Sequence, residues 1–303
     1  MQIREITSGL QFPEGPVALP DGSVLVTEIR RGTLTRVAAD GRKTVVAETG
    51  GGPNGAAVGP DGHVYVCNNG GFEWHDLGGL SIPGNQPKGY IGGRIQRVNL
   101  ATGVVEDLYT ECDGRPLCGP NDIVFDSTGG FWFTDFGKTR ERDRDRTGVF
   151  YARADGSSIR EVIFPLDGPN GIGLSPDQKR LYVAETFPGR LWSWEVTSPG
   201  EVAQPELPLS NGGSLVVGLP GMQLFDSLAV DGEGNVCVAT LVNGGITVAS
   251  PDGARIEHVA MPDMMTTNIC FGGPDLRTAF ITLSATGRLV ACGWPRPGLE
   301  LSF

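Results

Sequence analysis

The chain has 303 residues, of which 46 are glycine and 39% are apolar, and its formal net charge is −11. The apolar share excludes a disordered chain, and the acidic balance argues against binding to the phosphate backbone of nucleic acids. No apolar stretch reaches the roughly 18 residues of a membrane span, and residues 1–15 lack the apolar core of a secretory signal, so we expect a cytoplasmic protein without a membrane partner.

In chain order, a lone strand-like segment, QIREIT, comes first, and six copies of one unit follow it. Each unit contains two apolar strands joined by a tight turn, a glycine-led third strand and a polar fourth strand. The first two strands of the six units are predicted at 16–29, 56–69, 122–136, 171–186, 227–241 and 268–284. Turns that contain Asp-Gly or Gly-Gly pairs between short strands are typical of β-hairpins.

One aspartate lies in the first turn of every unit. These residues are Asp21, Asp61, Asp126, Asp177, Asp231 and Asp275. They recur at intervals of roughly 40 to 65 residues, which is the spacing of propeller blades. The sequence therefore predicts an all-β fold, a six-bladed β-propeller of four-stranded antiparallel blades, formed by residues 1–303 as a single domain. Because a closed ring leaves no exposed edge, we expect QIREIT to pair with the last blade.

Residues 70–93 (GGFEWHDLGGLSIPGNQPKGYIGG) interrupt the repeat between the second and third strands of the second unit. Inserted loops of this length are often pocket walls or lids. Because the insert contains Phe72, Trp74 and Tyr90, we expect it to lie over the mouth of the central channel and to contact substrate. A surface decoration is the alternative.

Two other local patterns lead to expectations. Residues 138–146 (KTRERDRDR) alternate in charge and predict a solvated loop. Four of the six cysteines lie in apolar strand-like runs and are predicted to be buried free thiols. The other two, Cys112 and Cys118, are close enough in sequence to pair, and the sequence leaves a disulfide between them open.

A polar residue beside proline, glycine or another polar residue lies just before or at the first strand of every unit. The six residues are Glu14, Asn54, Asn121, Asn170, Asp226 and Asn268. Since the innermost strands of a propeller surround one axis, these carboxylate and carboxamide groups are predicted to converge there. Such oxygen ligands suit Ca²⁺, Mg²⁺ or Mn²⁺. A water-filled polar channel is the alternative.

The segments FPEGP, GPND, GPNG and FDSLAVD resemble those of the senescence marker protein/gluconolactonase/luciferin-regenerating enzyme family, and the resemblance covers essentially the whole chain. It implies a six-bladed propeller with one divalent metal ion held by Glu14, Asn121, Asn170 and Asp226. Ca²⁺ is the preferred ion, with Mg²⁺, Mn²⁺, Zn²⁺ and Fe²⁺ left open. The Asp226-Ser227 pair and the FTDF segment with Asp135 are similar to the bacterial drug-responsive lactonase branch of that family.

The resemblance implies a metal-dependent lactonase that opens a small-molecule cyclic ester by attack of a metal-activated water. Asp226 is the predicted general base. Asp135 is a second candidate base, or a residue that orients Asn121, or a strand-end cap. Asn54 and Asn268 are predicted to contact substrate together with the aromatic residues of the insert.

Two other functions remain open at this point. A hard metal ion also suits hydrolysis of phosphotriesters or fluorophosphates, and a structural metal would suit a binding module without enzymatic activity. A Ser-His-Asp triad is disfavoured because Ser227 has no evident histidine partner among His63, His75 and His258. The sequence predicts no oligomeric state.

Overall fold

Six small antiparallel sheets contain most of the strands in the computed structural model, which describes residues 1–204 and 211–303. Blade one consists of Pro13–Ala18, Val24–Glu28, Thr33–Val37 and Lys43–Glu48. Blade two consists of Pro53–Val58, Val64–Asn68, Arg94–Val98 and Val105–Tyr109. Blade three consists of Pro120–Phe125, Gly130–Asp135, Thr147–Arg153 and Ile159–Leu166.

The remaining blades follow the same order. Blade four consists of Pro169–Leu174, Arg180–Glu185, Arg190–Ser198 and Ser214–Gly218, with Glu201–Val202 as an additional short strand. Blade five consists of Leu224–Val230, Val236–Leu241, Gly245–Ala249 and Ile256–Ala260. Blade six consists of Thr266–Gly272, Thr278–Leu283, Arg288–Gly293 and the N-terminal strand Ile3–Thr7. Two short hairpins complete the described strands, at Trp74–Leu77 with Leu80–Pro83 and at Glu111–Cys112 with Arg115–Pro116.

The ring closes as the sequence predicts. Strand Ile3–Thr7 pairs antiparallel with Arg288–Gly293, so the N-terminal segment supplies the outer strand of blade six. Each inner strand also packs against the inner strands of the two neighbouring blades, including the contact between blade one and blade six. The predicted all-β, six-bladed propeller is therefore confirmed. No helix in the described ranges is long and apolar enough to cross a membrane.

The six predicted turn aspartates have one common structural role. In each first hairpin the aspartate Oδ1 accepts a hydrogen bond from the backbone N–H two residues later, at 2.8–3.1 Å. The side chain thus replaces a backbone acceptor in the turn, which is the physical reason for the repeated aspartate.

The core is divided among the interfaces between blades. Six clusters of buried apolar side chains occupy the described part of the chain, and each joins two adjacent blades. The cluster between blades three and four contains Trp132, Leu181 and Trp194, for example. Because each cluster combines side chains of two blades, each blade depends on its neighbours for its buried core.

Two local expectations need correction or completion. Arg140 to Arg146 form the exposed, ion-paired loop that the charge pattern predicts, but Lys138 is only 1% exposed. Its ammonium is buried because the insert supplies the acceptors that water would otherwise supply. All six cysteines are free thiols, including Cys112 and Cys118, and Cys270 is half-buried where a buried thiol is predicted.

Candidate active site

All six inner strands lose regular pairing at the polar residue that the sequence singles out. Each strand begins before that residue, and its register with the second strand of the blade shifts there. The shifts occur at Glu14/Val17, Pro53/Ala56, Pro120/Ile123, Pro169/Ile172, Phe225/Leu228 and Thr266/Asn268. An irregularity of this kind interrupts the alternation of side chains between the two faces of the sheet, so the side chain at that position can point in another direction. The six polar residues therefore lie within the inner strands rather than before them.

The six side chains are all buried at one end of the propeller. Their exposed fractions range from 2% for Glu14 to 8% for Asp226. Because strands of a blade are antiparallel, the loops between second and third strands lie at this same end. Buried polar groups need partners, so the contacts of these residues determine what the site can hold.

Adjacent blades interlock through the residues that follow the polar positions. A Cβ on Gly15 would lie 2.3 Å from the carbonyl oxygen of Asn54, and one on Gly171 would lie 2.7 Å from that of Asp226. Close approach of two backbones thus requires glycine after Glu14 and after Asn170. Thr27 Oγ1 also donates to the carbonyl oxygen of Asn54 in the next blade, at 2.6 Å. The backbones at Asn54 and Asp226 are therefore held by the blade beside each of them.

Direct hydrogen bonds link several of the polar side chains. Asn268 Nδ2 donates to Glu14 Oε2 at 3.0 Å across the closure of the ring, and Asn268 Oδ1 accepts from the N–H of Ile269. Ser227 Oγ donates to Asn170 Oδ1 at 3.4 Å, and Asn170 Nδ2 donates to Thr186 Oγ1 at 3.1 Å. These donors fix the orientation of the amide oxygen of Asn170 and of one carboxylate oxygen of Glu14.

Burial raises the pKa of both carboxylates of the predicted ligand set. Burial raises the pKa of Glu14 to about 7, against hydrogen bonds from Asn268 and Gly15 that lower it. Burial also raises the pKa of Asp226 well above its usual range, and the negative charge of Glu14 adds to the effect. The two groups are therefore close enough to interact electrostatically, and the site favours a positive charge between them.

Asp122 is a third buried carboxylate of the site, and sequence reasoning missed it. Burial raises its pKa to about 7, and the charge of Glu14 contributes. Its Oδ1 accepts from the N–H of Ile123, while its Oδ2 faces the N–H of Ile172 in blade four at 3.4 Å. The signal was present in the sequence, because GPND has an acid where the other asparagine motifs, both GPNG, have glycine.

The oxygen atoms at this end of the propeller fit a divalent cation. Asn54 Oδ1 and Asn121 Oδ1 are buried and have no hydrogen-bond partner among the described residues. Two orphaned amide oxygens beside carboxylates with raised pKa values form a hard, electron-rich set that suits Ca²⁺ or a similar ion. Within residues 1–204 and 211–303, no three His, Cys, Asp or Glu side chains are placed to hold a metal ion. A metal at this position would therefore depend on the asparagine oxygens.

Asp135 holds a loop. Its carboxylate accepts hydrogen bonds from the N–H groups of Cys118, Gly119 and Gly137, each at 2.7–2.8 Å. Burial raises its pKa against these three donors. The contacts support its role in positioning the segment that leads to Asn121, and its role as a base stays a prediction.

The insert contains a hairpin, Trp74–Leu77 with Leu80–Pro83, and contacts segments of blades one, three and six on the face that contains the site. Trp74 lies 5.1 Å from Phe12, between ring centroids, and Ser81 N–H donates to Ala285 O in blade six. At the other side, Tyr90 Oη donates to Cys118 O in blade three. Phe72, Trp74 and Tyr90 are half-buried. Their contact with substrate stays a prediction.

No hydrogen bond joins Ser227 to His63, His75 or His258 in the described ranges. His63 lies beside Asp61 and Asn99 near the first hairpin of blade two, and His258 lies beside Thr247 in blade five. Ser227 makes its hydrogen bond to Asn170 instead. The chemistry of the site therefore depends on carboxylates, amides and any ion they hold.

Comparison with known proteins gives one family. The model of the SMP-30/Gluconolactonase/LRE-like region matches residues 12–285. The chain is 32% identical to lactonase drp35 of Staphylococcus saprophyticus, over 84% of this chain and 71% of that protein. It is 28% identical to a gluconolactonase of Zymomonas mobilis, over 93% of this chain and 79% of that protein.

Solved structures share the fold. A gluconolactonase from Xanthomonas campestris superposes with a TM-score of 0.74 at 21% identity, covering 98% of this chain and 89% of that one. Regucalcin from Agrobacterium tumefaciens, described as a calcium-binding protein, superposes with a TM-score of 0.73 at 20% identity, covering 99% and 98%. At these identities the likeness establishes the architecture of the chain and nothing about its ligands.

Proposed function

Because the chain belongs to the SMP-30/gluconolactonase/LRE-like family, we propose that it hydrolyses a lactone, an internal cyclic ester, at the converging ends of its inner strands. The observation that carries the proposal is the pairing of buried carboxylates with orphaned amide oxygens around Glu14, Asn121 and Asp226. Such a set is costly to keep in a folded protein unless it binds a cation.

In this proposal Glu14, Asn121, Asn170 and Asp226 hold one divalent cation. Ca²⁺ is the preferred ion, since the donors are all oxygens, and Mg²⁺, Mn²⁺, Zn²⁺ and Fe²⁺ are alternatives. When bound, such an ion polarises an ester carbonyl oxygen and lowers the pKa of water. Asn54 offers a further free oxygen beside the four ligands.

The side chains of the protein divide the remaining tasks. Asp226 accepts the proton of the attacking water, because its carboxylate is buried among the polar residues where the water would bind. Asn268 holds Glu14 in place through its Nδ2. Asn54, Asn268 and the aromatic side chains Phe72, Trp74 and Tyr90 contact the substrate, with the insert lying over the channel mouth.

The experiment is a substrate panel on protein loaded with Ca²⁺. Aliphatic, aromatic and sugar lactones are compared with a phosphotriester, and acid release is followed by a pH indicator. Exhaustive chelation should abolish hydrolysis, and added Ca²⁺ should restore it. Glu14→Gln and Asn121→Ala are expected to lose both bound metal and activity. Asn243→Ala, which changes an exposed asparagine in blade five, should lose neither.

The outcomes separate the competing functions. Preference for the phosphotriester would replace the lactonase by a phosphotriesterase. Full metal occupancy with no turnover of any substrate would indicate a binding module with a structural ion. Hydrolysis that survives chelation would refute the dependence on metal.

A further inference from the structure

Lys138 is the one buried lysine of this protein. The other three, Lys43, Lys88 and Lys179, are exposed. Burial lowers the pKa of Lys138 to about 7, and the negative charges of Asp135 and Asp145 oppose the change. Burying an ammonium is costly, so its contacts must offset a substantial penalty.

The ammonium contacts both ends of the insert. Lys138 Nζ donates to Gly71 O at 2.7 Å and lies 3.5 Å from Asn69 Oδ1, where the insert begins. The same atom lies 4.3 Å from the ring centroid of Phe72 and 5.4 Å from that of Tyr90, where the insert ends. Two aromatic faces and a carbonyl oxygen are partners that favour a cation.

Blade three holds the base of this lysine firmly. The backbone N–H of Lys138 donates to Asp145 Oδ2, and its carbonyl oxygen accepts from the N–H of Asp145. Three residues earlier, Asp135 fixes the segment before Asn121 through the N–H groups of Cys118 and Gly119. Lys138 thus extends from the rigid surroundings of the site into the insert.

From the ammonium, ring contacts continue towards blade one. Phe72 lies 6.2 Å from Trp74, and Trp74 lies 5.1 Å from Phe12, between ring centroids. Phe12 directly precedes the strand that contains Glu14. We call Phe72 and Trp74 the aromatic wall. Its position depends on the contact at Lys138 at one end and on Phe12 at the other.

We propose that Lys138 is a positioning residue that holds the aromatic wall against the reaction site and thereby makes the protein prefer lactones with an apolar ring substituent. The inference rests on the proposed lactonase function. Lys138 touches neither the predicted metal ligands nor the ester, so its loss should weaken the binding of a substituted lactone and leave the chemical step intact.

The test combines a structural readout with a kinetic one. Lys138→Met keeps an unbranched side chain one atom shorter than lysine but removes the charge and the donors, and Lys179→Met makes the same change at an exposed site on the opposite face. In Lys138→Met, amide hydrogen exchange of residues 70–93 should rise about fivefold or more. The KM for γ-phenyl-γ-butyrolactone should rise about fivefold, with kcat and the KM for γ-butyrolactone within about twofold of wild type. Lys179→Met should match wild type in every measurement.

Each result supports or overturns the inference. Unchanged exchange in residues 70–93 would overturn it, and so would an equal rise of KM for both lactones, which would indicate general damage to the site. If Lys138→Met does not fold, Phe72→Leu is the second variant, because it removes the nearer ring. Amide exchange at Gly71 and Tyr90 should then rise in the same way, and unchanged exchange there would overturn the inference. A wild-type protein that hydrolyses other lactones but neither of these two would overturn this specificity alone, whereas failure on every lactone would overturn the proposed function.

Discussion

Glu14→Gln should stabilise the metal-free protein at alkaline pH while it abolishes metal binding. The change removes one of the buried negative charges but keeps an oxygen for Asn268 Nδ2 to donate to. In the folded wild-type protein the pKa of Glu14 is about 7, above the ordinary 4.5 of a glutamate. The folded state therefore binds more protons than the unfolded state between these pH values, and the stability of the metal-free protein falls as pH rises through this window.

The magnitude follows from the pKa of Glu14. A rise from 4.5 to about 7 corresponds to a penalty of about 3 kcal/mol at pH 8 and less than about 1 kcal/mol at pH 5, at 1.4 kcal/mol for each pH unit. For a chain of this length, 3 kcal/mol is equivalent to about 5 °C in Tm. A bound divalent cation would remove most of the penalty, because it stabilises the carboxylate in its charged form.

The assay is urea unfolding of chelator-treated protein at pH 5 and pH 8, with and without added Ca²⁺. Glu14→Gln should be more stable than wild type by about 3 kcal/mol at pH 8 without metal, and similar to it at pH 5. Glu48→Gln, an exposed glutamate of the same blade, is the control and should behave as wild type. The reasoning fails if metal-free Glu14→Gln is no more stable than wild type at pH 8, or if Ca²⁺ stabilises both proteins equally.

Three further outcomes are expected. Asp226→Asn should keep partial metal occupancy yet lose about 10² to 10⁴ in kcat, and near-normal turnover with full metal would remove Asp226 as the base. Gly171→Ala should cost about 1–3 kcal/mol of stability and weaken metal binding, because its Cβ would lie 2.6 Å from the backbone nitrogen of Leu228. Gly293→Ala is the control: its Cβ would meet no atom within 4 Å, so thermal unfolding should be unchanged. Asp135→Asn should lower the free energy of unfolding in urea by about 1–3 kcal/mol, because the NH₂ group of an amide cannot accept a hydrogen bond as a carboxylate oxygen does. An unchanged unfolding midpoint would contradict the loop-holding contacts.

Local patterns in the sequence were sufficient to predict the fold. Blade number, strand order and the pairing of QIREIT with blade six all follow from alternating apolar strands and an aspartate in each first hairpin. These patterns are local, spanning about a dozen residues, because the interactions behind them are local. Each turn aspartate, for example, accepts its hydrogen bond from the backbone N–H two residues along the chain. The convergence of the polar residues followed from the repeat as well, because equivalent positions in a closed ring must face one axis.

The motifs around Glu14, Asn121, Asn170 and Asp226 also led from the sequence to the lactonase family. The ion, the substrate and the cytoplasmic location stay predictions. The sequence did not indicate that Lys138 is buried, because the charges around it resemble those of a solvated loop. It did not single out Asp122, whose environment is made by residues of blades one, four and five.

Only the tertiary structure decided which polar atoms are left without partners and which charges face one another. Asn54 Oδ1 and Asn121 Oδ1 are orphaned, and Asn170 is held by Ser227, although the local sequences GPNG and GPND are nearly the same. Burial and charge proximity depend on which residues of neighbouring blades pack against a position, and these lie roughly one blade, some 40 to 65 residues, apart along the chain. A pattern read within one blade contains no information about that packing, so the electrostatics of the site emerge only when the ring closes.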